Sequence, residues 1–253
     1  YDSLMQRKAE IGSLKFTREY LCVPISTGTA LFNPEFVDKC KNKDYVLKLG
    51  NRKDKGYKYY VGVDPAISTD GDYNVITVLE VDDEKNKTIV HVDRAKNVEF
   101  RENIEKIKLI GQIFQPEEIL YETNTFAKAF TQELRSVSDL NIRDFNTTRK
   151  NKQEIILALQ MNIENQKMNF PYGDAASRRV SNMIVEELSM FSITHSGRFE
   201  GVGAHDDMVM SLALANAASQ HQGEVFMLLD DMDIFDDPKT TINNPRDAIL
   251  GLN

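Results

Sequence analysis

The chain has 253 residues, 41% of them hydrophobic and 28% charged, with a formal charge of −8. That length allows one well-buried domain with extensions or two small ones, and the composition is that of an ordinary globular protein. No run nears the roughly 18 apolar residues of a membrane span, no secretory signal pattern is present, and the acidic charge argues against coating nucleic acid by bulk attraction.

Residues 1–56 read as a lead-in. Tyr1 in place of Met suggests a piece of a longer protein, and the charge of +5 over residues 1–60 contrasts with −13 over the rest. Leu14–Leu21 is a short mixed segment, Pro24, Gly28 and Pro34 interrupt any long element, and Lys39–Lys58 has the composition of a linker or solvated loop. Tyr57–Asp64 is strand-like, Ala66–Asp72 supplies turn residues with Asp70-Gly71 as a hairpin signal, and Asn74–Val81 and Thr88–Asp93 are two further β-rich runs. Ile104, Ile107, Ile110 and Phe114 recur at helical spacing, Glu118–Glu122 is a short buried strand, and Phe126, Phe130 and Leu134 mark a second amphipathic helix. Ile142–Phe145 is a brief strand. Helices follow over about 152–165, about 174–190 and about 207–220. Three β-runs, then helix, strand, helix, strand, helix, is the order of an α/β ribonuclease H-like fold, with a mixed central sheet and flanking helices. In that topology the first and fourth strands are neighbours, which brings together the ends of two strands 58 residues apart.

Those ends are acidic. Asp64 follows Tyr59-Tyr60-Val61-Gly62-Val63, Glu122 follows Ile119-Leu120-Tyr121, and Asp206 and Asp207 open the apolar helix Met208-Val209-Met210-Ser211-Leu212-Ala213. Carboxylates at the carboxyl ends of buried strands are poorly solvated and need a partner. A divalent cation is a natural one, and an oxygen-only cage suits Mg²⁺ or Mn²⁺. Each acid also has a plainer reading. Asp64 before Pro65 caps a turn, Glu122 sits at the surface, and an Asp at a helix start accepts backbone N–H bonds. Of the adjacent pair, Asp206 is assigned to the cap and Asp207 to the metal, on a face shared with Met210, Ser211 and Leu214. Turn chemistry accounts for Asp70, with Asp72 an outer carboxylate only as a lesser alternative, and His205 is more often structural than a ligand. Thr123 and Asn124 are expected to cap the following helix. Cys22 and Cys40, without CxxC or a Cys/His cluster, point away from zinc and disulfides and fit a reducing compartment.

Gly62-Val63-Asp64-Pro65-Ala66, Tyr121-Glu122-Thr123-Asn124 and His205-Asp206-Asp207-Met208-Val209-Met210-Ser211-Leu212-Ala213 resemble the nuclease domain of tailed-phage terminase large subunits. Phe16–Pro24 resembles the segment that joins the packaging ATPase to that domain, so the similarity spans roughly residues 14–220. The resemblance implies a viral DNA-packaging endonuclease in the host cytoplasm, with two Mg²⁺ or Mn²⁺ ions held by Asp64, Glu122 and an Asp of the 206/207 pair. It also implies double-stranded DNA as substrate, an ATPase domain upstream in the same polypeptide, and the portal and small terminase subunit as partners. No G-x-x-x-x-G-K-[ST] phosphate loop occurs, so ATP hydrolysis is not expected of these residues.

The expected chemistry is in-line attack of an activated water on phosphorus, with one ion lowering the pKa of the water and a second neutralising the leaving 3′ oxygen. Phosphate contacts are expected from Arg149, Lys150 and Lys152 at a loop-to-helix entry and from Arg178-Arg179, each weighed against a solvated basic turn. Nothing resembles a base-reading element, so cutting with little sequence specificity is expected. The competing readings are a resolvase or transposase with the same carboxylates, an actin-like ATPase, and a DNA-holding module without catalysis. The division expected is 1–56 lead-in, 57–221 nuclease domain and 222–253 acidic tail. The tail alternates acidic and large apolar residues, the pattern of a partner-docking segment or of a last core element.

Overall fold

The computed structural model describes residues 2–22, 30–48, 56–66, 73–123, 127–194, 198–201 and 206–220. The 67–72 turn with Asp70 and Asp72, and also Asn124, Phe126, His205 and the tail from 221, lie outside the described residues. The chain opens with α1 (Asp2–Ile11), α2 (Ser13–Tyr20), α3 (Pro34–Lys39) and the two-residue β1 (Lys41–Asn42). There follow β2 (Lys58–Asp64), β3 (Asn74–Val81), β4 (Lys87–Ala95), α4 (Phe100–Phe114), β5 (Glu118–Glu122), α5 (Ala127–Ser136) and β6 (Ile142–Phe145). The remainder is α6 (Arg149–Glu164), β7 (Met168–Pro171), α7 (Ala175–Met190), β8 (Phe191–Ile193), β9 (Phe199–Gly201) and α8 (Asp207–Ala218).

Seven strands form one mixed sheet in the order β1-β7-β4-β3-β2-β5-β6. The meander β2-β3-β4 is antiparallel, and β5 then pairs with β2 in parallel, with Val63 opposite Tyr121. The expected adjacency of first and fourth β-runs is therefore observed, and the next residue along each strand is Asp64 or Glu122. Strand alternation divides the core in two. Tyr59, Val61, Val63, Ile119 and Tyr121 face α4 and α5, while Tyr60 and Leu120 face α6 and α8. Asp64 and Glu122 are even-numbered on the same strands, so they fall on the α8 side.

Helix α8 is buried along its whole length and mostly apolar, with Ser211 and Asn216 as buried polar exceptions, as expected of a helix enclosed between a sheet and two other helices. Its approach depends on Gly62. A Cβ at that position would fall on the Ser211 carbonyl oxygen and the Ala215 nitrogen, so only glycine lets the helix backbone rest on β2. Thr77 and Ser211 then share a buried hydroxyl hydrogen bond of 2.8 Å across this contact.

Two parts of the lead-in differ from a linker. Pro34, expected as an interruption, starts α3: it occupies the first helical turn, and the Asn33 side chain accepts a bond from Glu35 N–H at 2.9 Å. Leu31, Phe32, Val37, Cys40 and Leu47 enter the core on the α8 side, and Phe170 N–H donates to the Cys40 carbonyl at 2.7 Å. The lysines and asparagines between these apolar residues hid them from a compositional reading. Helix α6 begins three residues before the expected position because Thr148 and Asn151 form a reciprocal capping box.

Candidate metal centre

Three elements deliver the acids. Strands β2 and β5 end side by side at Asp64 and Glu122, and α8 starts above them at Asp207. Asp64 is half-buried, and its carboxyl is pushed well above the usual carboxylate range. Burial is the main cause, followed by the charges of Glu122 and Asp207, a side-chain hydrogen bond with Glu122, and the charge of Asp206. All act in one direction, so an ionised Asp64 requires a cation that these neighbours do not supply. The donor set is carboxylate oxygen, which fits a hard divalent ion. Among the described residues no three carboxylate, imidazole or thiolate groups close into a finished ligand cage. The acids share a neighbourhood that an ion would tighten.

The two adjacent aspartates take different positions. Asp207 is buried, and its Oδ2 accepts the Tyr73 backbone N–H at 3.1 Å, which ties the start of α8 to the start of β3. Asp206 occupies the cap position of α8 but makes no side-chain capping bond. Its Oδ2 instead meets Lys152 Nζ at 3.0 Å. The expected capping role therefore moves elsewhere: Glu187 of α7 accepts the Met208 N–H at 2.8 Å and the Val209 N–H at 3.4 Å. This carboxylate from a neighbouring helix satisfies the orphan donors of α8. Burial raises the Glu187 carboxyl to about 7, against the lowering influence of those N–H groups and of Arg94, 3.6 Å away. No local pattern announces Glu187, since its partners lie 21 and 22 residues downstream; a Glu on the buried face of α7 is the one sequence signal.

The Thr147 hydroxyl donates to Glu122 Oε1, which holds the entry to α6 against the end of β5. Arg149, Lys150 and Lys152 follow on the first turn of α6, Lys150 exposed and Lys152 bound to Asp206. Arg178 and Arg179 do not join them. They lie on the first turn of α7, about 13 Å of helix away from Glu187 at 1.5 Å per residue. Arg178 also turns back toward the carbonyls of Tyr172 and Gly173 at 3.4 and 3.5 Å. Thr123 is buried after Glu122, and its hydroxyl finds no hydrogen-bond partner among the described residues.

A family model described as the terminase RNaseH-like domain matches residues 61–218. Among solved structures, the chain is similar to the large terminase nuclease of thermophilic phage G20c (22% identity, TM-score 0.59, covering 74% of this chain and 97% of that one). A form of the G20c domain with bound magnesium gives 21% identity and a TM-score of 0.58 over 77% of this chain and 98% of that one. The large terminase of bacteriophage HK97 is similar at 11% identity and a TM-score of 0.56, over 85% of this chain and 49% of that one, so the chain spans about half its length. No curated protein matches. The structural likenesses carry the ribonuclease H-like fold, and the model match over most of the sheet and α8 carries the family: the chain belongs to the terminase RNaseH-like domain family.

Proposed function

We propose that this chain is a metal-dependent DNA endonuclease that cuts concatemeric viral DNA during genome packaging. The observation that carries the reading is Asp64, half-buried at the end of β2, whose carboxyl is raised by desolvation and by the charges of Glu122 and Asp207. Asp64, Glu122 and Asp207 would hold Mg²⁺ or Mn²⁺, two ions in the full site, with Asp206 beside them. Bound there, the cations supply Lewis acidity that lowers the pKa of the attacking water and neutralises the leaving 3′ oxygen. The chain's own residues do the rest. Thr147 orients Glu122, Tyr73 N–H orients Asp207, and Arg149, Lys150 and Lys152 contact the phosphates of duplex DNA. Phosphate contacts carry no sequence information, so cutting has little specificity.

Family membership is what separates this reading from a resolvase, a transposase or an actin-like ATPase. It also supports an ATPase domain upstream of residues 1–56 in the same polypeptide, the portal and small terminase subunit as partners, and action in the host cytoplasm. Residues 222–253 would contact another packaging component. Nicking of a supercoiled plasmid tests the central claim. Cleavage is expected with Mg²⁺ and at least as well with Mn²⁺, and cleavage that survives excess EDTA rules the mechanism out. A protein that binds the plasmid and leaves it intact with either ion is the non-catalytic holding module instead.

A further inference from the structure

Strand register extends the acidic centre sideways into a basic rim. Asp64 lies opposite Val75, and Val75 lies opposite Arg94, so the three form one row across β2, β3 and β4 on the α8 side of the sheet. Two strand spacings put Arg94 about 10 Å from Asp64 in the backbone. Arg94 does not simply neutralise the acids. Its guanidinium stacks on Tyr73 at 3.4 Å from the ring centre, and Lys96 Nζ stands over the same ring at 4.4 Å. Tyr73 is the residue whose backbone N–H holds Asp207. Two cations gathered on one ring repel each other, and the ring's quadrupole offsets only part of that cost.

Glu187 takes up one side of Arg94 at 3.6 Å. The Arg94 Nε remains buried without a hydrogen-bond partner among the described residues. Lys96 is exposed, and no carboxylate among the described residues pairs with it. Among the described residues the exposed Lys96 charge is uncompensated beside a second cation that Glu187 only partly offsets, a setting that suits an anion.

Resting on the DNA-cleaving reading above, we infer that Arg94 and Lys96, mounted on Tyr73, form a second phosphate-binding site that grips the DNA backbone next to the scissile position. Lys96 makes the direct contact, and Arg94 adds positive field beneath it. At 3.4 Å of axial rise per nucleotide, the offset corresponds to about three nucleotides from the cut. The site therefore lies on the β4 side of the acids, opposite the α6 entry, and duplex DNA would be held from both flanks.

The test is binding of a short fluorescein-labelled duplex in Ca²⁺ by anisotropy, across a salt series, with plasmid cleavage in Mn²⁺ alongside. Lys96→Ala is expected to weaken binding roughly tenfold and to reduce the slope of log K against log salt by about 0.9. Lys96→Glu should be worse, Lys96→Arg close to wild type, and Lys108→Ala, a charge loss on the distal half of α4, unchanged. Thermal melting should not distinguish the Lys96 variants from wild type, since the side chain is exposed. Lys96→Ala with wild-type affinity and salt slope overturns the inference while leaving the nuclease reading intact. A wild-type chain that neither binds the duplex nor cuts the plasmid overturns both.

Discussion

Asp206 and Asp207 are adjacent, yet their surroundings give them different work. Asp207 is buried and aimed by a backbone N–H, whereas Asp206 is partly exposed and committed to Lys152. Asp64→Ala, Glu122→Ala and Asp207→Ala are each expected to abolish plasmid cleavage with the fold retained. Asp206→Ala should cost about 10–100-fold, the range for a group that orients its neighbours rather than ligating the ion. A dead Asp206→Ala beside an active Asp207→Ala would reverse the pair. Glu187 adds a pH signature. Its folded carboxyl titrates at about 7 against an ordinary 4.5, so the folded state binds more protons in that window. Stability from this group is complete below about 4.5 and is lost as pH rises through about 7. Glu187→Gln mimics the protonated form. In metal-free urea melts, wild type should fall relative to that variant between those pH values and run parallel to it above them. Curves parallel throughout would refute the assignment.

At the scale of elements, the pairing of α8 with β2 decides whether a site exists. Gly62 meets backbone atoms of α8 where any Cβ would stand, and backbone cannot swing aside as a flexible side chain can. Gly62→Ala is therefore expected to cost about 3 kcal/mol, the upper end of overpacking, and to weaken cleavage by lifting Asp207 from Asp64. An unchanged urea midpoint would show that the helix shifts freely. The periodicity of the sequence made β2 to β6 and α4 to α8 legible, together with the β2–β5 adjacency that joins Asp64 to Glu122. The missed elements have physical reasons. β1, β8 and β9 are two or three residues long, too short for any alternation to register, and β7 ends on Pro171, a residue that reads as a break rather than a strand. The acids could be read because strand ends and a helix start are local signals. Glu187, Arg94 and Tyr73 could not, because their roles come from cross-element contacts that leave no mark in spacing.

Across the whole molecule, the acids tie together parts of the chain more than 140 residues apart: the end of β2, the end of β5 and the start of α8. Without an ion, desolvation first and the neighbouring acids second oppose the packing that brings them together, and both raise the Asp64 carboxyl. An ion that binds only the folded arrangement stabilises it by mass action, about 2.7 kcal/mol at a hundredfold excess over Kd. For a domain of this size that corresponds to a melting temperature raised by roughly 5–10 °C. Mn²⁺ and Mg²⁺ should produce such a rise, EDTA should reverse it, and Ca²⁺ should stabilise without supporting turnover. Asp64→Ala should melt at the wild-type temperature or slightly above it in EDTA, because the cost of desolvating that carboxyl beside Glu122 and Asp207 is gone, and should then fail to respond to Mn²⁺. This pairing of equal or higher intrinsic stability with a lost metal response separates ligation from a structural role, since a merely structural aspartate would lower the melting temperature in EDTA. If wild type and Asp64→Ala rise equally in Mn²⁺, the ion binds elsewhere and Asp64 is not its ligand.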